Sequence, residues 1–309
     1  MKRNKIALIG SGNIGTILAL LSVLRNLGDV VMYDIVEGMP QGKALDLSHL
    51  MPVLGCDCEV VGTNNIADIK DANVCIVTSG LPRKPGMTRD DLLKVNGEII
   101  SGIAESIKEY APSAFVIVIT NPLDAMAYLM QKRSGLPANM VVGMAGVLDS
   151  SRYRFFLAQK LQVSVNSVSA FVLGGHGDTM VPVRSYTNCA GIPVSQLLSS
   201  EDLSPIEERV KKAGGEIVGL LKTGSAFMSP AASAIRMAES YLFDKKELLP
   251  CSAYCSGEYG AENIYLGVPV ILGAKGVEKI VEIALTDEEK KALEKSLQAV
   301  QSLVSKLEM

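Results

Sequence analysis

Apolar positions along the chain follow two rhythms. Short β-rich runs at Ile6 to Ile9, Val30 to Tyr33, Val74 to Thr78, Phe115 to Ile119 and Met140 to Gly143 are separated by longer stretches with helical spacing. Strands that alternate with helices predict a parallel sheet whose crossovers are those helices. The first, third and fourth runs are apolar almost throughout, which is the pattern of strands covered on both faces, so they belong in the middle of the sheet.

Beyond residue 145 the pattern changes. Val163 to Leu173 is strand-like and leads into a glycine-rich turn, while Ser204 to Leu221 and Ala231 to Leu242 have helical spacing. Tyr265 to Leu272 contains Pro269 and reads as an edge or hairpin strand. The last segment opens with Thr286-Asp287-Glu288-Glu289, a capping box, and sets Leu293, Leu297, Val300, Val304 and Leu307 on one helical face. No internal repeat or low-complexity tract interrupts the chain. At 309 residues it exceeds the roughly 250–300 at which a single core stops growing, which predicts an α/β domain over residues 1–145 and an α+β domain over 146–309.

Composition narrows the partners. Hydrophobic residues make up 48% and charged residues 20%, the profile of a soluble globular protein. A net charge of −3 gives no general attraction for nucleic acid or an anionic membrane. The apolar stretch after Met1 is too short for a signal peptide, and no run approaches the roughly 18 apolar residues of a membrane helix. Cys56, Cys58, Cys75, Cys189, Cys251 and Cys255 lack CxxC spacing, and the chain has two histidines, so no metal site is expected. The cysteines read as reduced thiols of a cytoplasmic protein.

Gly10-Ser11-Gly12-Asn13-Ile14-Gly15 follows the first strand and opens a helix from about Asn13 to Asn26, the context a GxGxxG motif requires. Gly10 permits a tight turn, Gly12 lets backbone approach a pyrophosphate, and Gly15 lets helix and strand pack closely. The helix amino terminus adds free N–H groups and a positive dipole. Asp34, about 20 residues on at the end of the second strand, suits the adenosine ribose hydroxyls and repels a 2′-phosphate. The fold class is therefore a Rossmann doubly wound parallel sheet followed by an α+β substrate domain, and the cofactor is NAD. A rival class with Tyr-x-x-x-Lys has that spacing at Tyr128/Lys132 and Tyr241/Lys245, but the glycine turn lacks the TGxxxGxG pattern of that class.

Five segments together carry a family resemblance: Gly10 to Gly15, LPRKPGMTRDDLL from Leu81 to Leu93, Thr120-Asn121-Pro122, GMAGVLDSSRYR from Gly143 to Arg154, and GGHGDTMVP from Gly174 to Pro182. In that order and spacing the chain resembles the lactate/malate dehydrogenase family nearly end to end, and within it the lactate-dehydrogenase-like malate dehydrogenases. Oxidising a hydroxy acid requires a base with a pKa near neutrality, which suits histidine. His176 sits in a glycine-flanked turn, whereas His49 lies in a helical pattern where a structural or solvated role is expected. The resemblance implies that Asp149 orients His176, although Asp149 could also cap a helix beginning there. It implies that Arg152 binds the substrate 1-carboxylate, that Arg89 polarises the reacting carbonyl, and that Arg83 sets specificity. Arg83 and Arg89 flank the Lys84-Pro85-Gly86-Met87-Thr88 segment, which by resemblance closes over the substrate. Asn121 is implied to contact substrate and cofactor ribose, while Asn96 and the backbone of Ile119, Thr120 and Asn121 line the nicotinamide side.

Oxaloacetate carries a second carboxylate where pyruvate has a methyl group, and a buried carboxylate needs a cation. Arg83 provides one, whereas lactate dehydrogenases typically place an uncharged residue there, or in one protozoan lineage a lysine in a lengthened loop. Malate and oxaloacetate are thus the expected substrates, ahead of lactate or another 2-hydroxy acid, or of a non-catalytic NAD-binding protein. Ser225 and Ala226 lie near substrate in the family but could equally serve helix packing. The family implies a homodimer or homotetramer.

Overall fold

The computed structural model describes residues 3–82 and 89–307, Arg89 by its backbone only. The first half alternates except between β3 and β4, which a short 3-10 turn (Ile66–Ile69) joins: β1 (Lys5–Ile9), α1 (Asn13–Leu24), β2 (Asp29–Tyr33), α2 (Met39–Leu54), β3 (Val60–Thr63), β4 (Val74–Val77), α3 (Arg89–Tyr110), β5 (Phe115–Val118), α4 (Leu123–Ser134) and β6 (Val141–Gly143). The second half comprises α5 (Gly146–Leu161), β7 (Val168–Leu173), β8 (Val181–Cys189), β9 (Ile192–Pro193), α6 (Val194–Leu197), α7 (Ser200–Leu221), α8 (Met228–Leu242), β10 (Glu247–Ser256), β11 (Glu262–Gly273), β12 (Gly276–Ile280) and α9 (Asp287–Val304).

Among these, β3-β2-β1-β4-β5-β6 form the parallel part of one sheet. The chain winds outward from β1 to β3, then returns across β1 to β4, so the crossovers diverge between β1 and β4. Crevices at the carboxyl ends of strands open at such a switch point. β1, β4 and β5 are interior, as their unbroken apolar runs predict. Along β1, Ile6 and Leu8 pack in the cluster that includes Leu18 of α1, Leu47 of α2 and Ile235 of α8, while Ala7 and Ile9 pack with Ile100 of α3 and Met126 of α4. Both faces of the strand are therefore dry.

Five strands escaped the sequence reading: β3, β8, β9, β10 and β12. β3 is a four-residue edge strand in which Val61 is half-exposed, so it carries no continuous apolar signal. β8 and β10 also went unmarked, the latter being interrupted by Pro250. The strand containing Pro269 is a hairpin strand, as predicted, but not an edge. β11 lies between β10 and β12, and β10 continues the parallel sheet through Ser252 opposite Gly143 of β6. Pro269 is tolerated inside the sheet because its partner across β10 is Pro250, so neither strand offers an N–H at that rung. Its carbonyl accepts the N–H of Val281.

The Tyr-x-x-x-Lys spacings have structural uses. Tyr241 stacks on Phe115 with ring centroids 4.5 Å apart, and Lys132 lies over the rings of Tyr128 and Tyr254 at 5.4 Å each. α9 carries the expected capping box between Thr286 and Glu289 and buries Leu293, Leu297 and Val300. Among the described residues, no helix is long and apolar enough to cross a membrane, and no cluster of His, Cys, Asp and Glu could hold a metal ion.

Candidate functional site

The glycine turn between β1 and α1 separates three requirements. A Cβ at Gly15 would lie 2.1 Å from the Gly10 carbonyl oxygen, so helix and turn pack in direct contact there. Gly10 has φ +108°, and a Cβ on it would meet Thr78 Oγ1 at 2.5 Å. Gly12 has φ −67°, and a Cβ on it would meet no protein atom within 4 Å. Nothing inside the protein demands glycine at residue 12; the open space above its backbone suits a ligand that comes close. α1 begins at Asn13 with no side-chain cap on its first N–H groups, which leaves them available to an anion. Gly12→Ala should therefore leave the melting temperature near that of the parent while weakening NADH binding at least about tenfold in a fluorescence titration. Gly15→Ala should lower stability by roughly 1–3 kcal/mol in denaturant unfolding, because backbone must move.

Ser11 is buried and Asp34 half-buried, and the two are joined: Ser11 N–H donates to Asp34 Oδ2 at 2.7 Å, and Val36 N–H donates to Oδ1 at 3.0 Å. Asp34 thus braces the turn, and each carboxylate oxygen keeps a further acceptor position for a sugar hydroxyl. Lys43 of α2 donates to the Ser11 carbonyl at 2.5 Å, a contact with no local sequence signal. Asn13 is exposed and Ile14 packs on the core.

A second constellation forms where α4, α5, α9 and β10 surround the turn after β7. His176 Nδ1 lies 2.7 Å from Asp149 Oδ2, and Arg152 Nη1 donates to Asp149 Oδ1 at 3.1 Å. Asp149 is 1% exposed, so its carboxylate bridges a histidine and an arginine away from water. The capping alternative does not hold: α5 begins at Gly146 with Ala145 as its cap, and the Asp149 carboxylate engages side chains. Arg152 Nε is buried without a hydrogen-bond partner, leaving donor capacity for an anion. Burial by itself pushes the His176 pKa down, but the charge and hydrogen bond of Asp149, with the charge of Asp124, outweigh burial and Arg152 and hold it above 6.5. His49 is exposed on α2.

The turn that presents His176 is held from three sides. Ser296 of α9 accepts the Gly175 N–H at 2.9 Å, and the Gly174 N–H donates to the Gly267 carbonyl of β11 at 2.8 Å. Asp124 of α4 accepts the His176 N–H at 2.8 Å. A Cβ at Gly174 would meet Ser296 Oγ at 2.6 Å and one at Gly175 would meet Val300 Cγ2 at 2.5 Å, so α9 packs too close for side chains at either position. Asp124, Ser252 and Ser296 were missed by sequence reasoning, and for Asp124 a polar residue in the apolar start of α4 is the sole local hint.

Asn96 is 1% exposed, and its amide is committed to backbone: it accepts the Leu81 N–H at 2.8 Å and donates to the carbonyls of Leu81 and Asn121 at 3.2 and 2.7 Å. It joins the loops that leave β4 and β5. Thr120 Oγ1 donates to the Ser79 carbonyl at 2.6 Å, Ile119 is buried, and Asn121 is exposed. Arg83 and the loop over residues 84–88 lie outside the described residues, and Arg89 is the first residue of α3. Ser225 and Ala226 occupy the connection between α7 and α8, with Ser225 exposed and Ala226 half-buried.

A doubly wound sheet with an open glycine turn at its first crossover, joined to a His–Asp–Arg cluster, is the arrangement of a dinucleotide-binding protein with a second polar site apart from the turn. The model of the lactate/malate dehydrogenase NAD binding domain matches residues 4–143, and that of the family's alpha/beta C-terminal domain matches residues 146–308. The chain belongs to the lactate/malate dehydrogenase family. It is 56% identical to a malate dehydrogenase of Methylobacterium radiotolerans, with 98% of this chain and 97% of that protein covered. Similar solved structures include Cryptosporidium parvum malate dehydrogenase, at 49% identity and TM-score 0.97 with 99% of each chain covered. They also include the lactate dehydrogenase of the same organism complexed with lactic acid and nicotinamide adenine dinucleotide, at 49% identity and TM-score 0.97, covering 99% of this chain and 98% of that one.

Proposed function

We propose that the chain is an NAD-dependent malate dehydrogenase that interconverts malate and oxaloacetate. The observation that carries this is Asp149 bridging His176 and Arg152, which places an oriented proton-transfer group beside an arginine with unused donors. Because Nδ1 faces Asp149, Nε2 is the nitrogen that takes the hydroxyl proton of malate. The resulting imidazolium is stabilised by the Asp149 carboxylate, which also fixes the ring orientation. Arg152 binds the 1-carboxylate, Arg89 polarises the carbonyl, Arg83 receives the 4-carboxylate, and Asn121 touches both substrate and ribose. Bound NAD supplies the hydride acceptor. Gly10, Ser11, Gly12, Asn13, Ile14 and Gly15 cradle its pyrophosphate, Asp34 its adenosine ribose, and Asn96, Ile119, Thr120 and Asn121 the nicotinamide side.

The charge and hydrogen bond of Asp149 raise the His176 pKa and so favour the imidazolium, the form that donates a proton to oxaloacetate. Stability from this pairing is fully present below the unfolded value and is lost as pH rises through the folded one. Reduction measured by kcat/KM is expected to fall as pH climbs through that same raised midpoint, and malate oxidation to rise.

The lactate dehydrogenase of equal TM-score keeps a second reading open, since backbone similarity does not separate the two substrates. NADH oxidation followed by absorbance decides between them. Oxaloacetate should exceed pyruvate in kcat/KM by more than about a hundredfold, or roughly 3 kcal/mol of transition-state binding. Arg83→Gln should lower oxaloacetate turnover by orders of magnitude; undiminished turnover would remove Arg83 from the assignment, and a parent preference for pyruvate would replace malate by lactate.

The same proposal divides the chain near residue 145 into an NAD-binding and a catalytic part. It makes the protein a cytoplasmic homodimer or homotetramer, with six unpaired cysteines in accord with a reducing compartment. Exposed Leu24, Leu45, Val53 and Leu54 on α1 and α2 suit a subunit contact.

A further inference from the structure

Asp124 is a buried carboxylate that the proposed mechanism does not use. It lies in the first turn of α4, 5% exposed, and no ion pair reaches it among the described residues. Its two oxygens have separate partners: Oδ2 accepts the backbone N–H of His176 at 2.8 Å, and Oδ1 accepts the hydroxyl of Ser252 at 2.7 Å. Ser252 is fully buried on β10, at the rung where β10 joins β6 opposite Gly143. A Cβ on Gly143 would lie 2.8 Å from Ser252 Cβ, and one on Gly175 would lie 3.4 Å from Asp124 Oδ2, so the arrangement is packed without slack.

We propose that Asp124 is the positioning residue of the proton-transfer histidine: clamped by Ser252, it fixes the His176 backbone and sets a second buried negative charge behind the imidazole. The inference rests on His176 being the acid–base group. A neutral acceptor would suffice to hold one backbone N–H, and a buried carboxylate without a cation is costly. The start of α4 offsets part of that cost through its dipole. Among the described residues, the charged groups facing His176 are Asp149 and Arg152 from α5 and Asp124 from α4, while α9 and β10 contribute the hydroxyls of Ser296 and Ser252. Asp149 and Asp124 both favour the imidazolium and Arg152 opposes it. Asp124 is itself held above the usual carboxylate range by burial, opposed by the bonds from Ser252 and His176. Those bonds favour the charged form that acts on His176.

The variants Asp124→Asn, Asp124→Ala and Ser252→Ala separate charge from position. Asparagine can still accept the His176 N–H, and its NH2 can donate to a reoriented Ser252 hydroxyl, so Asp124→Asn chiefly removes charge. With two histidines in the chain, one of them exposed on α2, imidazole NMR signals of His176 are assignable by comparison with a His49→Gln background. The expected result is a lower His176 titration midpoint in Asp124→Asn and a smaller displacement in the same direction in Ser252→Ala. The pH profile of oxaloacetate reduction should move with it. Asp124→Ala should lose kcat by on the order of tenfold to a hundredfold with little change in KM, and Asp124→Asn should recover most of that loss at a pH below its new midpoint. An unmoved midpoint in Asp124→Asn overturns the proposal, as does equal loss of kcat in both Asp124 variants at every pH. If the midpoint moves while the parent protein reduces no 2-keto acid, the coupling of Asp124 to His176 stands and the enzymatic reading fails.

Discussion

His176→Asn is expected to lower kcat for oxaloacetate reduction by about 10²–10⁴, the contribution typical of a positioned acid–base group, while NADH binding by fluorescence titration stays within about twofold of the parent. The separation follows from the geometry. The glycine turn that would hold the dinucleotide is built by β1, α1, Asp34 and Thr78, none of which hydrogen-bonds to His176. His176 and its partners Asp149 and Asp124 form a second cluster on α4, α5 and the turn after β7. Asparagine keeps a polar group near Asp149 but cannot exchange a proton near neutrality, so the pH dependence attributed to the imidazole should vanish from the residual activity. Retained activity with the parent pH profile would remove His176 from the mechanism.

Arg152→Lys should cost on the order of 2–5 kcal/mol in kcat/KM, roughly 30-fold to several thousandfold, with most of the loss in KM. Arg152 has two tasks at once: Nη1 neutralises the buried Asp149 carboxylate, and its remaining donors are offered to an anion. A lysine ammonium is a point charge on a flexible stem and cannot satisfy Asp149 while presenting a flat pair of donors to a second carboxylate. The side chain is 12% exposed, so water replaces little of what is lost. Saturation kinetics with oxaloacetate would test this. An unchanged KM would mean that the 1-carboxylate is bound elsewhere, and the unpartnered Nε would then need another explanation.

Much of this architecture is local in origin and could be read from the chain. The apolar runs of β1, β4 and β5 announce strands buried on both faces, because each side chain reports its own burial irrespective of which neighbour covers it. Gly10, Gly12 and Gly15 announce a turn and a helix start, and Thr286 with Glu289 announces another. The identities of His176, Asp149 and Arg152 were available through resemblance of short segments. What they do to one another was not, since 27 residues separate His176 from Asp149.

Periodicity says that a residue is buried but never against what, and the remaining features all depend on that second fact. Pro269 argued for an edge or hairpin strand, and only the fold shows that hairpin strand inside the sheet with Pro250 opposite Pro269. Asn96 read as lining the nicotinamide side, but only the fold shows that its amide ties two loops together, Leu81 on one side and Asn121 on the other. Asp124 carried no signal beyond its polarity in an apolar stretch, because its partners lie 52 and 128 residues away and meet only when β10 extends the parallel sheet. The sequence by itself therefore determined the buried strands of the parallel sheet, the dinucleotide turn and the chemical types in the site, all set by local sterics and solvation. The tertiary structure decided which buried polar groups share a proton, a charge or a hydrogen bond, because such groups are costly alone and are specified only by the neighbour that satisfies them.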